Sequence, residues 1–199
     1  MTKTLALIVI TFTAIGFSCK HHTNKPEQYS YAFYYLPDII PYDYLIKEII
    51  QTEQNRIVIT YSSKTKTSYK KTEAKHYRVV NNGLDIEISH EGIIEAKPYL
   101  RVDNPDCINF KYGNEMDDVL ATQICFLKRL NITIGNKEYK NAYKFKKTTG
   151  LNHSVESNVY YDSAFVLLKE EYVSGYTDPY IIVRLNENLI NDIPNNAKP

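Results

Sequence analysis

The sequence predicts an α+β fold: a mainly antiparallel, curved sheet of seven or more strands with about two helices packed on it. Three observations predict it. Short runs of alternating apolar and polar residues recur between turn signals from Ile57 to Ile182. Two segments, Tyr42–Ile50 and Leu120–Leu127, carry apolar residues at helical spacing instead. The 199 residues are 43% apolar and 24% charged, a folding composition at a length that suits one domain.

The elements follow in order. Tyr42, Leu45, Ile46, Ile49 and Ile50 fit i, i+3, i+4, i+7, i+8, and Pro41 stands where a helix can start, so a helix is predicted over 41–53. Ile57, Ile59 and Tyr61 then alternate with Val58 and Thr60. Asn81-Asn82-Gly83 is a strong turn signal and joins a strand over 75–80 to one over 84–89. Strands are predicted over 94–101, where Pro98 suggests an edge or a bulge, and over 107–112. A second helix is predicted from Asp117-Asp118 to Lys128-Arg129, with the acids and bases at the ends the helix dipole prefers. Leu120, Ile124 and Leu127 would face inward. Gly135-Asn136 is a turn, after which Tyr139, Tyr143 and Phe145 alternate with Lys140, Lys144 and Lys146, one face aromatic and one cationic. Strands over 158–161, 166–173 and 180–185 complete the sheet, and the tail over 191–199 is polar.

Charge and motifs exclude several functions. Lys and Arg number 24 against 23 acids, a net charge of +1, and this balance argues against nucleic acid as a partner. No phosphate-loop or dinucleotide fingerprint is present, so no nucleotide is expected, and no other cofactor. No metal site is expected either. His21-His22 lie in a polar stretch, His90-Glu91 has Ile94 where a zinc helix needs its second histidine, and His76 and His153 are isolated. There is no G-x-S-x-G elbow, and no catalytic residue is assigned. Glu170 and Glu171 are adjacent on a strand, so they face opposite ways and cannot form a dyad.

The first residues read as an address. Lys3 precedes an apolar run, Leu5–Phe17, that is short for a membrane span and typical of a secretory signal. Ser18-Cys19 follows, then KHHTNKPEQ. This junction resembles a bacterial lipobox of the relaxed kind found in Bacteroidota, with Gly16 and Phe17 where a branched aliphatic and a small residue are commoner. The resemblance implies cleavage after Ser18 and lipid on Cys19, holding the protein on a membrane of the cell envelope, the outer one in preference to the inner. Gly16-x-Ser18 also fits ordinary signal cleavage, which would release a soluble chain. On the lipoprotein reading the segments are a signal peptide (1–18), a lipidated cysteine and polar tether (19–30), one β-rich domain (31–190) and the tail (191–199). Assigning Cys19 to lipid leaves Cys107 and Cys125, which an oxidising compartment lets form a disulfide; two buried free thiols are the alternative.

Binding is harder to read. IGNKEYKNAYKF, VYYDSAFVLLKEEY and YIIVRL, in the last third, look like the closing strands of small exported half-barrels similar to the lipoprotein-carrier (LolA/LolB-like) architecture. Tyr31, Tyr34, Tyr35, Tyr42 and Tyr44 crowd the start of the domain among eighteen tyrosines, a candidate aromatic binding patch, though strand preference and coding bias also account for them. Asp162-Ser163-Ala164 resembles the short O-glycosylation site of Bacteroidota and marks Ser163. The functional expectation is a non-enzymatic binding module for a protein partner, such as an envelope-complex subunit or an immunity-type inhibitor. A carrier of an apolar ligand in a half-barrel cavity, and an exported hydrolase with a spatially assembled site, are the alternatives.

Overall fold

The computed structural model describes residues 25–38, 40–90, 93–112, 120–150 and 155–185. Twelve strands make one sheet: β1 (Glu27–Tyr35), β2 (Asp43–Gln51), β3 (Asn55–Ser63), β4 (Lys70–Val80), β5 (Gly83–His90), β6 (Ile93–Arg101), β7 (Ile108–Tyr112), β8 (Leu120–Ile134), β9 (Lys137–Gly150), β10 (Val155–Tyr161), β11 (Leu167–Gly175) and β12 (Tyr180–Arg184). Every pairing is antiparallel between chain neighbours, except that β1 also pairs with β12, through Tyr31↔Arg184 to Tyr35↔Tyr180. The order is therefore a circular meander with its two edges at β6 and β7.

This overturns the α+β expectation. The fold is all-β, a nearly closed barrel, and no helix occurs among the described residues. The predicted helix over 41–53 is β2. Its apolar pairs Leu45-Ile46 and Ile49-Ile50 mimic helical spacing because both faces of this strand are covered. Leu45 packs in the cluster of Tyr31 and Val159, whereas Ile46 packs with Ile59, Tyr61 and Tyr69. The second predicted helix is β8. Ile124 does face the core, but Leu127 is exposed beside a bulge at Phe126/Lys128. Asp117-Asp118, the signal segment, Cys19 and the tail lie outside the described residues. β1 opens at Glu27, inside the 19–30 stretch read as a tether.

The hairpin at Asn81-Asn82 is present: Val80 pairs with Gly83, and Asn82 takes a left-handed φ of 60°, a region asparagine enters more readily than most residues. No ladder of hydrogen bonds joins β6 to β7. Side chains close that seam: Tyr77, Leu84, Ile86 and Leu100 from one edge pack with Ile124 and Phe145 from the other.

Cys107 and Cys125 form a disulfide at the start of β7, one step beyond the pair Ile108↔Ile124. It ties a five-residue edge strand to the sheet. The bridged cysteines are 18 residues apart, and the chain-entropy model assigns a loop of that size about 3 kcal/mol. Replacing both cysteines with alanine is expected to cost about that much in urea unfolding. An unchanged midpoint would show that the bridge adds nothing to stability.

The two ends of the barrel differ. At the end where β1 starts, the 162–166 turn folds over the lumen. Asp162 Oδ1 accepts from the amides of Ala164 and Val166, both at 2.9 Å, and Phe165 takes a φ of 57°. That turn aims the Phe165 ring at Tyr143, 5.2 Å between centres, and Arg56 Nη1 donates to the Phe165 carbonyl at 3.3 Å. Phe165 is a plug. At the opposite end, where β1, β9 and β11 finish, the described residues leave the lumen open.

Candidate functional site

The open end holds a cavity of about 500 Å³, walled by Phe33 and Tyr35 of β1, Tyr180 and Ile182 of β12, Val155 of β10, and Tyr176. Register explains the wall. Phe33↔Ile182 and Tyr35↔Tyr180 are cross-strand partners, and partners share a face. The rings brace one another: Phe33 lies 4.9 Å from Tyr35 and 5.8 Å from Tyr180, and Tyr42 lies 4.9 Å from Tyr35. A backbone bond from Leu36 N to Pro179 O, 2.8 Å, ties the β1–β2 turn to the β11–β12 loop.

The floor is polar. Glu170 of β11 is 9% exposed, and its Oε1 accepts from Lys147 Nζ at 3.1 Å, Ser157 Oγ at 3.0 Å and Tyr180 Oη at 3.0 Å. Ser157↔Lys147 and Val159↔Glu170 place these groups on the lumen face. Burial by itself would raise the Glu170 carboxyl; the Lys147 ammonium and the donors outweigh it and hold the group below the usual carboxylate range. Glu170 in turn raises Lys147 above its ordinary value. Burial, then the Glu170 charge, pushes Tyr180 up to about 12, so its hydroxyl stays a donor.

Beneath the mouth, a smaller chamber of about 160 Å³ is bounded by β2–β4 on one side and β9–β11 on the other. Lys147 and Glu170 border both spaces. Lys47 of β2 faces the chamber, and burial lowers its ammonium to about 8; Lys75 and Lys147 push the same way, against Glu170 and Glu73.

The sequence-derived tyrosines divide between two faces. Tyr35 lines the mouth and Tyr42 stacks on its rim. Tyr31 is fully buried in the lumen, with its hydroxyl donating to Leu167 O at 2.8 Å. Tyr44 packs with the Ile46–Tyr61 cluster on the outer face, and Tyr34 alternates away from Phe33 and Tyr35. Ser163 is exposed in the turn at the plugged end, far along the strands from the mouth. Glu171 does diverge from Glu170, accepting from Tyr160 Oη at 2.7 Å. Among the described residues no three histidines, cysteines or acids converge as a metal site.

Sequence reasoning missed Lys47, Lys147 and Glu170. A signal existed for the lysines. Lys47 is in phase with Leu45 and Ile49, and Lys147 with Tyr143 and Phe145, so each is a charge on an apolar face.

Comparison with protein-family models, with curated proteins and with solved structures finds no match for this chain. What the described residues define is an all-β, nearly closed barrel with one end plugged by Phe165 and an aromatic-lined cavity at the other.

Proposed function

We propose that this is a non-enzymatic binding protein whose open barrel end holds a small molecule with an apolar or aromatic body. The observation that carries this reading is the 500 Å³ cavity, aromatic-walled with one hydrogen-bonded polar floor. Ligand sites have this size and character, mostly apolar with a few fixed polar groups. The reading favours the carrier alternative over a flat aromatic patch. It places the protein in the cell envelope, attached by lipid on Cys19, with no nucleic acid or nucleotide partner.

One observation favours a protein partner as well. Of the large apolar side chains left exposed, Leu36, Ile40, Tyr42 and Tyr176 lie in turns at the open end, and Ile93 and Ile94 start β6 at that same end. A partner seated there would cap the mouth and bury them. The two readings are compatible, since a carrier has to meet a donor or an acceptor.

Binding of the neutral dye Nile red tests the cavity. The full chain is expected to bind it with a rise in emission, and Ile182→Trp, which fills the mouth, to weaken binding about tenfold or more, the loss of a good apolar contact set. Absence of dye binding, or equal binding by a folded Ile182→Trp variant, would remove this reading.

A further inference from the structure

The inner chamber has a charge imbalance that the apolar-ligand reading does not use. Its ionic lining is Lys47, Arg56, Lys75 and Lys147 against Glu73 and Glu170. Both acids are already engaged: Glu73 with Lys75 at 2.7 Å, and Glu170 with Lys147 at 3.1 Å. Arg56 spends its nitrogens on neutral oxygens, Nε on Gln51 Oε1 at 2.9 Å and Nη1 on the Phe165 carbonyl. Lys47 is left. Its ammonium lies 5.6 Å from the centre of the Tyr31 ring, and no described residue accepts a hydrogen bond from it. An ammonium has three donors, so Lys47, part-buried and without a described acceptor, is free to take an anion that enters the chamber.

We propose that the chamber is an anion site that takes a carboxylate, with Lys47 as its charged ligand. Three features select this class. The chamber, about 160 Å³, has room for a small head group but not for a ligand of the mouth's size. Lys47 is the one lining cation whose donors meet no described acceptor, and a carboxylate is a compact planar acceptor for such an ammonium. The Thr60 side chain borders the same space, from the register partner of Lys47 on β3, and offers a hydroxyl donor. The two spaces meet at Lys147 and Glu170, so the carboxylate arrives in one of two ways: as a free small acid, or as the head of a longer molecule whose body lies in the mouth. Only the second source rests on the function proposed above.

The pH dependence has a definite sign. Lys47 is faced by Lys75 and Glu73 from β4, Lys147 from β9, Glu170 from β11 and the Tyr31 ring from β1. A bound carboxylate favours the protonated amine, so affinity is full below about 8 and falls as pH rises through that value.

Calorimetric titration of the full chain with sodium acetate and with sodium decanoate tests the site. Acetate is expected to bind saturably at neutral pH, to lose about tenfold in affinity per pH unit above the Lys47 midpoint, and to be lost in Lys47→Met. That variant should still bind Nile red as the unmodified protein does, which shows it folded. Decanoate binding much tighter than acetate, with displacement of Nile red, assigns the head-group source; equal affinities assign the free acid. The proposal is overturned if neither acid binds, if a folded Lys47→Met variant binds as well, or if affinity does not change between pH 7 and pH 9. Acetate binding without Nile red binding sinks the mouth reading and leaves the anion site standing; Nile red binding without either acid does the reverse.

Discussion

Replacing Gly83 with alanine is expected to destabilise the protein by about 3 kcal/mol or more, at the upper end of what overpacking costs. A Cβ built on Gly83 would stand 1.9 Å from the Leu100 carbonyl oxygen and 3.0 Å from Arg101 Nη1. The first neighbour is backbone and cannot rotate aside. Relief requires β5 and β6 to part where Gly83 pairs with Arg101, next to the bulge at Leu84/Asp85. Arg101 holds that junction, donating from Nη1 to the carbonyls of Leu84 and Leu100, both at 2.8 Å, and from Nη2 to Asp85. Leu84 and Leu100 are buried in the cluster that closes the barrel seam, so a displacement there reaches the side chains that stand in for a β6–β7 ladder. Asn82→Gly is the control. It lies in the same turn, at a positive φ that glycine adopts freely, and is expected to be neutral or slightly stabilising. Urea unfolding separates the two. Equal midpoints would show that the strands yield at Gly83 without loss.

The strand periods and the Asn81-Asn82 turn were legible because each depends on local chemistry, and the pairing of Cys107 with Cys125 followed from the cysteine count once Cys19 was set aside. β8 was misread because Leu120, Ile124 and Leu127 fall at helical spacing, although Leu127 is exposed. β2 was misread because both of its faces are covered. A strand covered on both faces needs apolar residues at odd and even positions, and Leu45-Ile46 with Ile49-Ile50 then satisfies a helical template as well as a strand. The isoleucines, β-branched and favoured in strands, were the evidence on the other side. Closure into a barrel was not legible, since it depends on β1 meeting β12 across most of the chain. The site followed the same rule. Tyr35 and Tyr42 stood out by type, yet Tyr31, Tyr34 and Tyr44 differ from them in burial or facing. Lys147 and Glu170 meet only because β9, β10 and β11 are neighbours in register, and the two are 23 positions apart in sequence.

Lys147→Met is expected to cost about 3–5 kcal/mol, the range for removing one partner of a buried ion pair. Glu170 would keep the Ser157 and Tyr180 hydroxyls but lose its countercharge while only 12% of its side chain meets solvent. Glu170→Gln should cost a similar amount by stranding the Lys147 ammonium. The double variant should cost well under the sum, because neither uncompensated charge remains. The pH dependence follows from the directions of the two shifts. Glu170 is lowered on folding, so its contribution is present above the unfolded carboxyl value of about 4.3 and lost as pH falls through the folded one. Lys147 is raised, so its contribution is present below the unfolded value of about 10.4 and lost as pH rises through the folded one. Between about pH 5 and pH 10 the pair contributes fully. In Lys147→Met the penalty comes from a carboxylate, so it should shrink as pH falls and Glu170 takes up a proton. Unfolding free energies of the unmodified protein and this variant, compared at pH 7 and pH 4, decide it: a difference that stays constant would assign the loss to the missing side-chain packing of Lys147, not to its charge.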